Sequence, residues 1–121
     1  MADVLCYSGL TILLTRLTGL SLWVGWGTGT GTSARTDTSL FTAASEARVA
    51  ASVSKTTIAQ ADDTLVITGT ISANGPKTIT NAGVWSALAA GSLILKSDFA
   101  GIAMTLVPPT SLTFTFKLRI K

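Results

Sequence analysis

The sequence predicts a mainly β protein: an antiparallel, jelly-roll-like β-sandwich with one short N-terminal helix, built as a single domain over residues 1–121. Three observations lead there. Helical spacing of apolar residues occurs once, near the start, and an alternation of period two replaces it afterwards. The alternating runs are short and closely spaced, with turn residues rather than helices between them. The last of them, Leu112 to Lys121, alternates without a break.

Leu10, Leu13, Leu14 and Leu17 fall at i, i+3, i+4 and i+7 behind Ser8, a residue suited to cap a helix N-terminus. Gly19 stands where a helix favours a left-handed residue at its end. A short amphipathic helix over 9–18 follows, held by packing more than by propensity. Residues 21–121 then supply strands and loops. Ser21 to Trp26 reads as a strand running into the Gly/Thr tract Gly27-Thr28-Gly29-Thr30-Gly31-Thr32. Glu46 to Ser54 alternates, with Val49, Ala51 and Val53 on one side and Arg48, Ala50 and Ser52 on the other. Thr64 to Ser72 sets Leu65, Ile67 and Ile71 against Val66, Thr68 and Thr70. The cluster "SANGPK" is a turn. Thr78 to Trp85 is the next strand, "SALAAG" turns the chain, and Ser92 to Phe99 returns. Pro108-Pro109 interrupts before the final strand, where Leu112, Phe114, Phe116, Leu118 and Ile120 share one face. The expected core is Leu13 and Leu17 from the helix with Ile67, Phe114, Phe116 and Leu118 from the strands. Thr, Val, Ile and aromatic residues suit such half-buried pleated surfaces.

Composition sets the class. The chain is 47% hydrophobic and 12% charged, against about 25% charged in ordinary domains. Thr, Ser, Gly and Ala must therefore cover much of the surface, which suits a protein packed against neighbours. The net charge of +3 comes from scattered basic residues, so an acidic partner is permitted and nucleic acid is not demanded. One cysteine, Cys6, forms no internal disulfide, and without histidine there is no zinc constellation; Cys6 is expected to be a small buried hydrophobe. Residues 4–26 are apolar, but Arg16, hydroxyl residues and glycines interrupt a span of ~20 residues, and Asp3 is foreign to a secretory signal. A soluble protein with no targeting segment and no membrane partner is expected.

The catalytic inventory is thin. The Gly/Thr tract lacks the lysine of a phosphate-binding P-loop, and an apolar helical face does not follow it as a dinucleotide fingerprint requires. A loop whose glycines admit close approach of another backbone fits it better. The most frequent general base, histidine, is absent. Asp62-Asp63 in "QADDT" reads as a turn before a strand. Glu46 and Arg48, two apart, suggest a structural ion pair across strands. The row Lys117, Arg119, Lys121 could meet phosphates. It could equally be the solvated face of an edge strand, where lysine discourages edge-to-edge pairing. Threonines, not aromatics, interleave with it, which weakens a nucleic-acid reading.

Two stretches carry a family resemblance. "GWGTGTGTSARTDTSLFTAASEARV" is followed by "TITNAGVWSALAAGSLILKSDF" and the alternating C-terminal strand. From Trp23 to Lys121 this order resembles a group of small tailed-bacteriophage virion proteins: a strand, GTGT, T-D-T-x-L, an E-A-x-R-V strand, I-T-x-A-G-aromatic, then L-x-x-K/R-S-x-F. It is also similar in layout to the N-terminal domain of phage tail-collar fibre proteins, with Asn81 in place of the usual Glu and Val84-Trp85 in place of Leu-Phe. The resemblance implies a virion structural protein and not an enzyme, with no cofactor, metal or small-molecule substrate. Its partners would be the major capsid protein, in a cement or decoration role on the head, or tail proteins, in a tail or fibre-attachment role. A homotrimer is expected, with nucleic acid not a partner. The expected localisation is the virion, assembled in the host cytoplasm. Gly27 to Thr32 and Arg35 are the expected subunit or capsid contacts.

Overall fold

Alternation of period two becomes two antiparallel sheets that face one another. The computed structural model describes residues 3–57, 63–105 and 110–119. In chain order their elements are α1 (Tyr7–Thr18), β1 (Trp23–Gly27), β2 (Val49–Ala50), β3 (Ser52–Thr56), β4 (Thr64–Ser72), β5 (Lys77–Trp85), β6 (Leu93–Met104) and β7 (Ser111–Arg119). One sheet has the order β2-β1-β5-β6 and the other β3-β4-β7. All the pairings are antiparallel. Trp26 of β1 meets Phe114 of β7 edge to face, with ring centroids 6.1 Å apart. Phe99 of β6 reaches the same ring at 6.1 Å. Such cross-sheet contacts close a sandwich core.

The β4–β7 ladder shows how the alternation works. Leu65 lies opposite Leu118, Ile67 opposite Phe116 and Ile71 opposite Leu112, so one face is a continuous set of apolar cross-strand pairs. On the other face Thr70 and Thr113 share a hydrogen bond of 2.7 Å, and Ser72 and Ser111 one of 2.6 Å. Ile67 and Phe116 are buried as expected; Leu17, Phe114 and Leu118 are half-buried and pack against the core. β7 is an edge of its sheet, and Lys117 is exposed on it. Ile120, Lys121, Asp62 and Pro108-Pro109 lie outside the described residues.

Several expectations need correction. Leu13 is not core: it is 45% exposed, while Leu10 and Leu14 are buried. Successive helical residues are rotated by about 100°, so a stripe centred on Leu10, Leu14 and Leu17 turns Leu13 outward. The helix begins at Tyr7 with Cys6 as its N-cap, and Ser8 lies inside it without capping. Cys6 is exposed rather than buried. Gly19 ends the helix in a right-handed conformation, φ −84°, not a left-handed one. Its N–H reaches the Arg16 carbonyl and the Leu20 N–H the Leu17 carbonyl, so i→i+3 bonds tighten the last turn and a left-handed cap is not needed.

The single strand expected over Glu46 to Ser54 is two. Val49–Ala50 pairs with β1, then the chain changes sheets at Ala51, whose N–H bonds the Leu22 carbonyl, and Ser52–Thr56 pairs with β4. A strand that switches sheets makes a sandwich corner. β6 also runs past Phe99 to Met104, with Ile102 opposite Ile79. Gly101 permits this, since a Cβ there would stand 2.5 Å from Thr78 Cγ2.

Candidate interaction surface

The sequence "WVGWG" folds into a strand with two different faces. Val24 and Trp26 point into the core, where they are 0% and 2% exposed. Gly25 and Gly27 point the other way, and they lie opposite Gly83 and Asn81 of β5. The middle of this sheet is therefore nearly bare of side chains on its outer face. Residues 40–43 lie on that bare patch. A Cβ on Gly27 would stand 2.6 Å from the Phe41 carbonyl oxygen, and one on Gly83 2.9 Å from Leu40 Cδ2. Gly29 and Gly31 would collide with Phe41 in the same way. The glycines thus serve close backbone approach, as the sequence suggests, and the backbone they receive belongs to the same chain.

Asn81 fastens the layer. It is fully buried. Its Oδ1 accepts from the Phe41 N–H at 3.0 Å, and its Nδ2 donates to the Phe41 carbonyl at 3.0 Å. The side-chain amide thus stands in for a strand partner, satisfying both backbone groups of a segment that is not in a ladder. Thr28 N–H bonds Thr42 O and Gly29 N–H bonds Phe41 O, at 2.9 and 2.8 Å, while Thr80 Oγ1 donates to the Gly29 carbonyl. These bonds hold Thr42 at φ 51°, an unfavourable conformation for a β-branched residue.

Beyond the tract, Asp37 closes a turn by accepting the Ala34 N–H at 2.9 Å and pairs with Lys96 Nζ at 2.9 Å. The same ammonium lies 3.2 Å from the centroid of the Phe41 ring, a cation–π contact. The Ala34 N–H and then Lys96 lower the Asp37 pKa. Asp98 accepts the Ser33 N–H at 2.8 Å and is lowered by its hydrogen bonds to Ser33. Thr30, Thr32 and Arg35 are exposed here, whereas Thr28, Gly29 and Gly27 are partly or fully covered. Of the expected contacts, the outward surface is therefore Thr30-Gly31-Thr32 and Arg35.

Glu46 does form a structural ion pair, but with Lys77 and not with Arg48. The distance is 2.5 Å, and the two side chains are 6% and 14% exposed. Glu46 also accepts from Trp26 Nε1 at 3.0 Å and from the Asn74 N–H at 2.8 Å. Burial opposes its charge, yet Lys77 and these donors prevail and lower its pKa to about 2. Arg48 instead donates to the carbonyls of Ala87 and Ala90 and stacks on Trp85. Asp63 is buried and pairs with Arg119 at 3.3 Å, so part of the basic row on β7 holds its own fold.

No protein-family model, curated protein or solved structure matches this chain. Several large apolar residues also face outward. Val4, Leu5, Tyr7, Ile12, Leu13 and Leu20 are exposed, Val4 by 80%, Tyr7 by 68% and Ile12 by 63%. Six large apolar residues within seventeen positions, on and beside α1, are thus exposed, spread around the helix rather than along one stripe. Sequence periodicity had assigned α1 one apolar face only; apart from Leu13, the exposed residues fall outside it. No helix among the described residues is long and apolar enough to cross a membrane.

Proposed function

We propose that the chain is a bacteriophage virion structural protein acting as a capsid cement or decoration protein, a homotrimer that binds the assembled head lattice and stabilises it. The sequence resemblance supplies the virion assignment. The observation that supports a packing role is the number of large apolar residues exposed on and beside α1, Tyr7, Ile12 and Leu13 among them, in a chain with only 12% charged residues. Large exposed apolar clusters mark contacts with other macromolecules. The buried ionic groups Glu46, Lys77 and Lys96 are engaged in holding loops to sheets.

The physical effect would be linkage: a protein that binds the lattice and not its dissociated parts shifts the equilibrium toward the lattice. Apolar and hydrogen-bonded contacts should survive ~1 M salt, where the Debye length is about 3 Å and phosphate-type binding collapses. The test is sedimentation of preformed capsids with added protein at low and high salt, with free DNA as competitor. Co-sedimentation that persists at high salt and raises the heat resistance of the shells is expected. Binding lost at high salt together with tight DNA binding would refute it in favour of the basic row. The layout shared with tail-collar fibre domains favours a second reading, a tail or fibre-attachment component. Failure to bind any head particle, with a few to a few dozen copies per virion instead of hundreds, would establish that one.

A further inference from the structure

A second feature lies apart from the helix, between the 43–48 segment and the 86–91 turn. A cleft of about 330 Å³ opens there, with Leu40, Ala44, Ala47 and Leu88 among its apolar walls and Arg48 and Trp85 at one side. That size is at the small end of ligand pockets, about 300–1,000 Å³, and suits a group rather than a whole segment. Two polar side chains border it, one with donors open to solvent and one with a buried donor left unpaired. Arg48 is half-buried; its Nη1 donates to the Ala87 and Ala90 carbonyls at 2.8 and 2.7 Å, and its Nε and Nη2 make no hydrogen bond among the described residues. Among the described residues no carboxylate pairs with it, and Glu46 is committed to Lys77. Trp85 is 7% exposed, and its buried Nε1–H has no hydrogen-bond partner among the described residues. A buried donor left in that state is costly and calls for an explanation. The two groups adjoin: the guanidinium carbon lies 3.7 Å from the Trp85 ring centroid, and a Cβ on Gly25 would stand 3.3 Å from Arg48 Cγ and 3.7 Å from Trp85 Nε1.

We propose that this cleft is a carboxylate receptor, in which the Arg48 guanidinium, stacked on Trp85, takes a carboxylate borne on a short apolar stem. Nε and Nη2 form the planar fork that meets a carboxylate with two parallel bonds. With Glu46 and Lys77 cancelling, the local charge of the cleft is that of Arg48. The apolar walls fit the stem of the ligand. A free chain end with an apolar last residue and an acidic side chain both present this chemistry. The proposal needs no particular place for the chain in a particle.

The test is an NMR titration of labelled protein with hexanoate, with hexanamide as the uncharged analogue, read at the Trp85 indole N–H and the Arg48 Nε–H. Saturable shifts of both signals with hexanoate and not with hexanamide are expected. Arg48→Gln should weaken binding about tenfold or more, and Arg48→Lys should also weaken it, since lysine keeps the charge but loses the fork. Leu88→Glu, at an exposed position on the rim, provides a variant that leaves the fold alone; its own carboxylate should compete and weaken binding more than Leu88→Gln, which removes the same apolar wall without adding a charge. A tripeptide ending in a free leucine carboxylate, its amidated form and an amidated peptide with an internal glutamate identify the source of the ligand. Equal response to hexanoate and hexanamide, shifts that never saturate, or unchanged binding in both Arg48→Gln and Leu88→Glu would overturn the proposal.

Discussion

Acid should loosen this fold through the Glu46 carboxylate, and Glu46→Gln isolates that contribution. In the folded protein the Glu46 pKa falls from its ordinary 4.5 to about 2, because Lys77, the Asn74 N–H and Trp26 Nε1 outweigh the cost of burial. The unfolded chain therefore binds a proton at Glu46 at higher pH than the folded one does. Stability from this group is present above pH 4.5 and is lost as pH falls toward 2. At about 1.4 kcal/mol for each unit of pKa, the loss amounts to about 3 kcal/mol. The side chain is only 6% exposed, so solvent screening removes little of it. Glutamine keeps the shape and an acceptor for Trp26, yet leaves the Lys77 ammonium without its counter-charge. Glu46→Gln should thus be about 2–3 kcal/mol less stable at pH 7, at or just below the roughly 3–5 kcal/mol of breaking a fully buried pair. The difference between the two proteins should close as pH approaches 2. Urea unfolding of both at pH 7, 4.5, 3 and 2 measures this. Asp37 and Asp98 are also lowered, but they titrate in both proteins and cancel in the difference. A gap that stays constant from pH 7 to 2 would refute the argument.

Phe116→Ala should cost about 3–5 kcal/mol in urea unfolding, since it removes a buried ring opposite Ile67; a loss below about 1 kcal/mol would place Phe116 with surface residues. Gly27→Ala should destabilise by about 1–3 kcal/mol, because its Cβ would stand 2.6 Å from the Phe41 carbonyl oxygen. Hydrogen exchange should show the Thr28 and Gly29 amides opening first in that variant, and unchanged protection would show that the layer is not wedged there. Ile12→Glu with Leu13→Glu should abolish co-sedimentation with capsids while the unfolding midpoint moves little, as both side chains are 63% and 45% exposed; full binding by this variant would exclude α1 as the docking face.

The strands were legible because alternation is a local property that burial enforces. β4 matches its expected limits, and β5 and β7 begin within one residue of theirs, since a slip of one residue would turn every apolar side chain to solvent. The corner at Ala51 was not legible. Val49, Ala51 and Val53 keep the same period through it, and the pattern cannot register which sheet each half joins. Leu13 failed for a related reason. Four leucines at helical spacing define a stripe, but its width exceeds what β3 and β4 cover, and only tertiary placement selects the buried part.

The outer layer on the first sheet was harder to see because its signal lies in missing side chains. Gly25, Gly27 and Gly83 occupy alternate positions of paired strands, so the sequence already removes a row of Cβ atoms from one face. That removal is costly in a strand, since glycine gains nothing by packing and loses more entropy on folding. It becomes intelligible once residues 40–43 are seen to rest in the space, with the Asn81 amide bonded to both backbone groups of Phe41. Asparagine is disfavoured in strands, and its position opposite Gly27 was the available clue. A glycine row on one strand and a buried amide facing it together specify a loop folded flat onto a sheet. The outcome is a loop, Gly27 to Thr32, whose conformation is fixed within its own chain before any partner arrives. Only its exposed members, Thr30 to Thr32 with Arg35 nearby, remain to meet one, so a contact there would lose little conformational entropy on binding.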